Sequence, residues 1–231
     1  MKTKICVLGI FAFVTLAVAE PRTWVLKTGE TVTGDYVSSG TTTLVVKTGG
    51  TNCFLKISSL SIKDQAYTFK MQVAQRQVRL DAEAKQMESA GWIEVTAQSL
   101  ENFPEKTKDK AGWMDVEFDE LGSSYDLGDF YAESYLGFGV RDKNDNYFGK
   151  CVVEKNVLVD PNAVPLVHIP NPAIDQISQV KRGDKIRLIG RREDLYLGVS
   201  NEGWRFFIYK VEIIETAAEK DFIEQQDSTA P

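Results

Sequence analysis

Between residues 22 and 57 the chain alternates short β-rich runs with glycine-containing turns. Residues 23–27 end at Thr28-Gly29, 31–37 at Ser38-Ser-Gly40 and 42–47 at Gly49-Gly50, and 53–57 complete the set. Threonine, valine and aromatic side chains suit a pleated, half-buried surface, and glycine supplies the turns, so this pattern predicts hairpins of four or five strands. Closing them into a small SH3-like barrel removes the open edges of a lone sheet. Trp24, Tyr36, Leu44 and Leu60 are its candidate core. The pattern changes at Ser61-Ile-Lys-Asp64, a capping-box variant with Asp in place of Glu. No Gly or Pro follows until Gly91, and the residues between are good helix formers. Their apolar positions (Ala66, Phe69, Val73, Leu80, Met87) are sparse and follow no sustained heptad. This predicts a largely solvated helical spacer over 70–90 rather than a coiled coil.

Beyond Gly91 strand-like runs return at 93–97, 113–118, 130–140, 148–153, 185–190 and 205–214. Residues 161–180 interrupt them, with a short helix expected at 173–180. Five or six strands with a helical insert before the last hairpin are OB-like in outline. The final stretch, 216–231, is acidic and poor in hydrophobic residues, which predicts a disordered tail. No internal repeat is visible. The fold class expected is therefore mostly β: an SH3-like barrel (20–69), a helical spacer (70–90) and an OB-like barrel (91–215).

The first residues stand apart from this pattern. Met1-Lys-Thr-Lys4 is basic, residues 5–18 are almost uncharged and apolar, and Ala17-Val-Ala19 places small residues where a signal peptidase reads. A cleaved signal peptide over 1–19 is the expectation, with an uncleaved anchor as the alternative; the run falls short of the roughly 20 residues of a membrane span. Export to the periplasm or the exterior follows, with no membrane span after cleavage. Loss of Lys2 and Lys4 leaves 25 basic against 33 acidic residues, a net charge of −8, which opposes generic binding to nucleic acid or anionic membranes. Cys6 leaves with the leader. Cys53 and Cys151 remain, one in each expected barrel, and read as two buried, unpaired thiols rather than one bridge.

Arg22-Thr-Trp24 at the first strand, Gly34-Asp-Tyr36-Val in the second, Leu44-Val-Val-Lys47 in the third and the closing Leu60-Ser61-x-x-Asp64-Gln65-x-Tyr67 give a further reading. Together they resemble the first homology domain of the fungal endocytic adaptor Sla, over residues 22–69. The resemblance implies an SH3-like barrel closed by a helical turn and a non-catalytic, protein-binding role. That domain recognises Asn-Pro-Phe-x-Asp peptides. Asn171-Pro-Ala-Ile-Asp175 has their frame but carries Ala where the aromatic anchor belongs, and reads as a Pro-rich loop.

Catalytic chemistry finds little to work with. The single histidine, His168, lies between Val167 and Ile169 and reads as a strand residue rather than a base. No Gly-x-Ser-x-Gly elbow and no glycine-rich phosphate loop is present. One His and two separated Cys make no zinc cluster. Asp142-Lys-Asn144-Asp-Asn146 begins like a calcium loop but has Tyr147 where the glycine is due and Val153 where the glutamate is due. No metal, cofactor or enzymatic activity is expected. Asp115, Glu117 and Asp119 alternate along one strand face and read as its solvent side.

The remaining candidate is basic. Six positive residues and only Asp184 as a negative one fall within 181–192, against 15 basic and 22 acidic residues over 91–215. Lys185, Arg187, Arg191 and Arg192 are the candidate ligand residues, with Trp204, Phe207 and Tyr209 near enough to supply aromatic platforms. Arg182-Gly-Asp184, the cell-adhesion tripeptide, falls at an expected turn. Two functions follow: an exported adaptor gripping a protein or peptide through the small barrel, or an OB-like domain binding an anionic oligosaccharide or oligonucleotide.

Overall fold

A computed structural model describes residues 21–122, 134–158, 168–196 and 202–228 of the chain. The leader expected at 1–19 lies outside the described residues. Strand outweighs helix, and the chain divides after Thr68 into two compact units.

The first unit is an antiparallel meander of β1 (Arg22–Val25), β2 (Thr31–Ser39), β3 (Thr43–Thr48) and β4 (Thr51–Lys56), in that order. A single turn of 3₁₀ helix, Ile57–Ser59, follows, and a bridge between Leu26 and Leu60 returns the chain to the first strand. Trp24, Leu44 and Leu60 are fully buried, as their apolar bulk demands in so small a core. Tyr36 departs from the expected core: it is half-buried, because its hydroxyl needs a polar partner and takes one in Ser39 Oγ at 2.7 Å.

Helix α1 (Ile62–Ser89) starts at the cap read from the sequence, with Ser61 Oγ accepting the Asp64 amide. Its second half is no solvated spacer. Leu80 is fully buried, Arg76 donates to Ile214 O (2.9 Å), and Arg79 pairs with Glu212 (2.9 Å). The helix docks on the barrel through long polar side chains, which an apolar count does not register.

The second unit opens with β5 (Ile93–Glu94), α2 (Ala97–Asn102) and α3 (Pro104–Thr107). The strand expected at 93–97 stops at Glu94 because Thr96 caps α2, exchanging hydrogen bonds with Ser99. The barrel comprises β6 (Ala111–Leu121), β7 (Tyr135–Arg141), β8 (Tyr147–Glu154), β11 (Lys185–Tyr196) and β12 (Glu202–Glu215). Its ring runs β6-β7-β8-β12-β11 and closes where β11 pairs with β6 from Lys185↔Glu117 to Arg191↔Ala111. The β8–β12 pairing is parallel and the other barrel pairings are antiparallel, giving a five-stranded OB-like barrel. Between its third and fourth strands lie the hairpin of β9 (Asn156–Leu158) with β10 (His168–Pro170), and α4 (Pro172–Ser178). Met114, Val116 and Phe118, alternate residues of β6, enter a core shared with Phe138, Ile186, Leu188 and Phe206.

Residues 217–228, expected to be disordered, form α5 (Ala217–Ser228). Thr216 and Glu219 make a capping box, each side chain bonding the other's backbone amide, and Asp184 Oδ1 accepts the Ala217 amide. Phe222 packs edge-on against Phe69 of α1, and Arg76 pairs with Glu219 at 2.7 Å. The acidic composition of the segment concealed these anchors. Among the described residues no helix is long and apolar enough to cross a membrane.

Candidate functional site

The residues that carry the family resemblance are occupied in closing the first unit. The Asp64 carboxylate accepts Arg22 Nη2 at 2.8 Å, the Val25 amide at 2.9 Å and the Ser61 hydroxyl at 2.8 Å. Burial pushes this carboxyl up, but the bonds from Val25, Arg22 and Ser61 outweigh it and hold the group below its ordinary range. Gln65 Nε2 donates to Leu60 O at 2.8 Å. The Tyr67 ring meets Trp24 edge-on, with the Arg22 guanidinium 3.9 Å from its centroid. The motif is thus a clasp joining the first strand to the start of α1.

The outer face of the β3–β4 hairpin presents one exposed aromatic ring. Leu44 and Val46 point inward, so Val45 lies on the other side of β3, and its register partner on β4 is Phe54. Phe54 is 71% exposed. Among the described residues β4 pairs with β3 alone, so no described strand covers its other edge, although Lys56 O accepts the Ser59 hydroxyl at 2.7 Å.

The basic cluster of the second unit is taken apart by the fold. Arg187, expected on an exposed face, is 3% exposed. Its Nε and Nη2 reach the two oxygens of Asp115 at 2.6 and 2.8 Å, and its Nη1 donates to Leu80 O. β11 alternates as expected, but the face opposite the core is covered by α1 at Arg187, which is a buried tie. Arg192 is buried too, donating to Thr107 Oγ1 at 3.5 Å with its guanidinium 4.8 Å from the Trp204 centroid. Arg191 is exposed and bonded to Glu193 at 2.8 Å, while Lys185 is exposed. Of the expected aromatic platforms, Trp204 carries Lys150 on its ring at 4.3 Å, Phe207 is buried against Tyr135, and Tyr209 stands exposed beside Glu193.

Lys185 does line a cleft of about 270 Å³ at the end of the barrel where β7 turns into β8, β11 begins and β12 ends. Arg141 bounds it, bonded to Asp119 at 3.0 Å and to Asp145 at 3.2 Å. Asp119, expected on the solvent side, is buried because a register shift in β6 turns it toward Arg141 and Arg182. The calcium-like turn closes on itself: Asp142 accepts the Asn146 side-chain amide and the backbone amides of Asn144 and Asn146, and these bonds lower its pKa. Among the described residues no group of three His, Cys, Asp or Glu is placed to hold a metal.

The adhesion-like tripeptide is also spent. Gly183 has a φ of +86°, open to glycine without strain, and Asp184 is buried, bonding the amides of Lys181 and Ala217 at 2.8 Å each. Asn171 caps α4 through the Ala173 amide with Pro172 at the first helical position, so the Asn-Pro frame is the start of the short helix rather than a Pro-rich loop. His168 belongs to β10 as expected of a strand residue; its side chain lies outside the described residues. Cys151 is a free thiol sealed in the barrel core, where burial raises its pKa; Cys53 is a free, half-buried thiol on β4.

No family model and no curated protein matches the chain. Among solved structures it is similar to the OBody AM3L09 bound to hen egg-white lysozyme, at 14% identity over 48% of this chain and 88% of that one, with a TM-score of 0.31. It is also similar to a protein described as an aspartyl-tRNA synthetase of Leishmania major Friedlin, at 10% identity over 59% and 26% of the two chains, with a TM-score of 0.34. Likenesses this slight carry neither fold nor function.

Proposed function

We propose that this chain is a non-catalytic binding protein of the exported space, whose small barrel captures an extended segment of a protein partner. The observation that carries the reading is the Val45–Phe54 pair on the outer face of the β3–β4 hairpin, next to the edge of β4 that no described strand covers. A peptide laid along that edge gains main-chain hydrogen bonds from the strand, and Phe54 supplies the apolar contact that selects its side chains. The resemblance to the adaptor domain points the same way, and its motif residues, being engaged in closure, leave recognition to this face. The alternative, an anionic oligomer on the OB-like barrel, loses support with the burial of Arg187 and Arg192 and the pairing of Arg191 with Glu193.

The test is selection of peptides from a displayed library on the mature chain, followed by titration against Phe54→Glu. Selected peptides should lose affinity by about tenfold or more in the variant, with the melting curve unchanged because Phe54 is exposed. Peptides that bind Phe54→Glu as well as the natural chain would overturn the reading. So would a chain that selects no peptide but retains an anionic oligosaccharide or oligonucleotide in a salt-dependent way.

A further inference from the structure

In the charged cleft of the second unit several groups are already engaged. Asp115 is held by Arg187, Asp145 by Arg141, and Asp142 by the amides of its own turn. Five other charged side chains line the cleft: Lys143, Lys185 and Lys220, with Glu117 and Glu215. None of these makes a side-chain hydrogen bond or an ion pair within the described residues. This matters most at Lys185, whose register partners are Glu117 on β6 and Glu215 on β12. Opposite charges at neighbouring positions of one sheet ordinarily reach each other. Here all three stay apart and face the same cleft.

We infer that the cleft binds a compact zwitterion, one ammonium and one carboxylate on a short backbone, the class of amino acids and dipeptides. Charge complementarity selects the class. A dianion would gain the three lysines but be pressed against two unengaged carboxylates, and a dication would meet the reverse, each a like-charge contact that disfavours the wrong ligand. A zwitterion sets its carboxylate toward the lysines and its ammonium between Glu117 and Glu215, leaving no like charges opposed. The volume, about 270 Å³, falls just below the roughly 300–1,000 Å³ of sites for drug-sized molecules, which suits a short ligand. The inference concerns the second unit and does not depend on peptide capture by the first.

Calorimetric titration of the mature chain with three probes of similar length tests it: glycylglycine as the zwitterion, glutarate as the dianion and cadaverine as the dication. Glycylglycine should bind about tenfold or more tightly than either of the others. Lys185→Gln and Glu215→Gln should each weaken it by about the same factor while leaving the melting curve in place. Glutarate or cadaverine binding as tightly as glycylglycine would overturn the inference. Absence of binding by all three, or glycylglycine binding indifferent to both substitutions, would overturn it equally.

Discussion

At Arg187, a guanidinium that is 3% exposed takes both oxygens of Asp115 and spends a further donor on Leu80 O. Deleting one partner of such a pair is worse than deleting both, because the survivor stays out of water without a counter-charge. Asp115→Ala should therefore cost about 3–5 kcal/mol in urea unfolding, and Asp115→Leu combined with Arg187→Met should cost distinctly less. Equal losses would mean that Arg187 finds another partner or water. Asp64 makes a comparable prediction in pH. Its folded pKa lies below the ordinary aspartate value, so its contribution is fully present above that value and is lost as pH falls through the folded one. The midpoint of the first unit should drop over that acid range, and Asp64→Asn should flatten the drop while lowering stability at neutral pH. An unchanged acid profile in the variant would show that another group controls it.

Helices are where sequence and structure part most, for reasons that differ from one to the next. α1 was placed correctly at its start, since Ser61 and Asp64 form a local cap that needs no tertiary partner. Its docking was not legible, because Arg76 and Arg79 reach Ile214 O and Glu212, groups more than a hundred residues away. The start of α5 is legible, since Thr216-Ala-Ala-Glu219 is a capping-box sequence, but the acidity of the segment that follows points to disorder. The box and Asp184 together satisfy its first amides, so Thr216→Ala should cost about 1 kcal/mol. Amide exchange at residues 217–220 should speed up in that variant while the barrel strands keep their protection. Unaltered exchange there would show that Phe222 and Phe69, rather than the cap, hold the helix.

Across the whole molecule, period-two alternation carried the strands and glycine punctuation carried the first hairpins, which is why a mostly β chain with an OB-like barrel could be read in advance. The face opposite the barrel core could not be assigned, since alternation says which residues share a side and not whether another element covers it. Arg187 and Lys185 share that side, yet one is buried under α1 and the other lines a cleft. The two units have separate cores, one around Trp24, Leu44 and Leu60, the other around Phe138, Ile186 and Phe206. Trp24 contributes a fully buried ring, an edge-on contact with Tyr67 and a hydrogen bond from Nε1 to Gly34 O at 3.2 Å. Trp24→Ala should remove about 3–5 kcal/mol, most of what so small a core supplies, and unfold the first unit. Amide exchange should then collapse across residues 22–60 while β6, β11 and β12 remain protected, because their hydrogen bonds close a ring within the second unit. Loss of protection in those barrel strands to the same degree would show that the two cores fold as one, and the division after Thr68 would not describe how the chain unfolds.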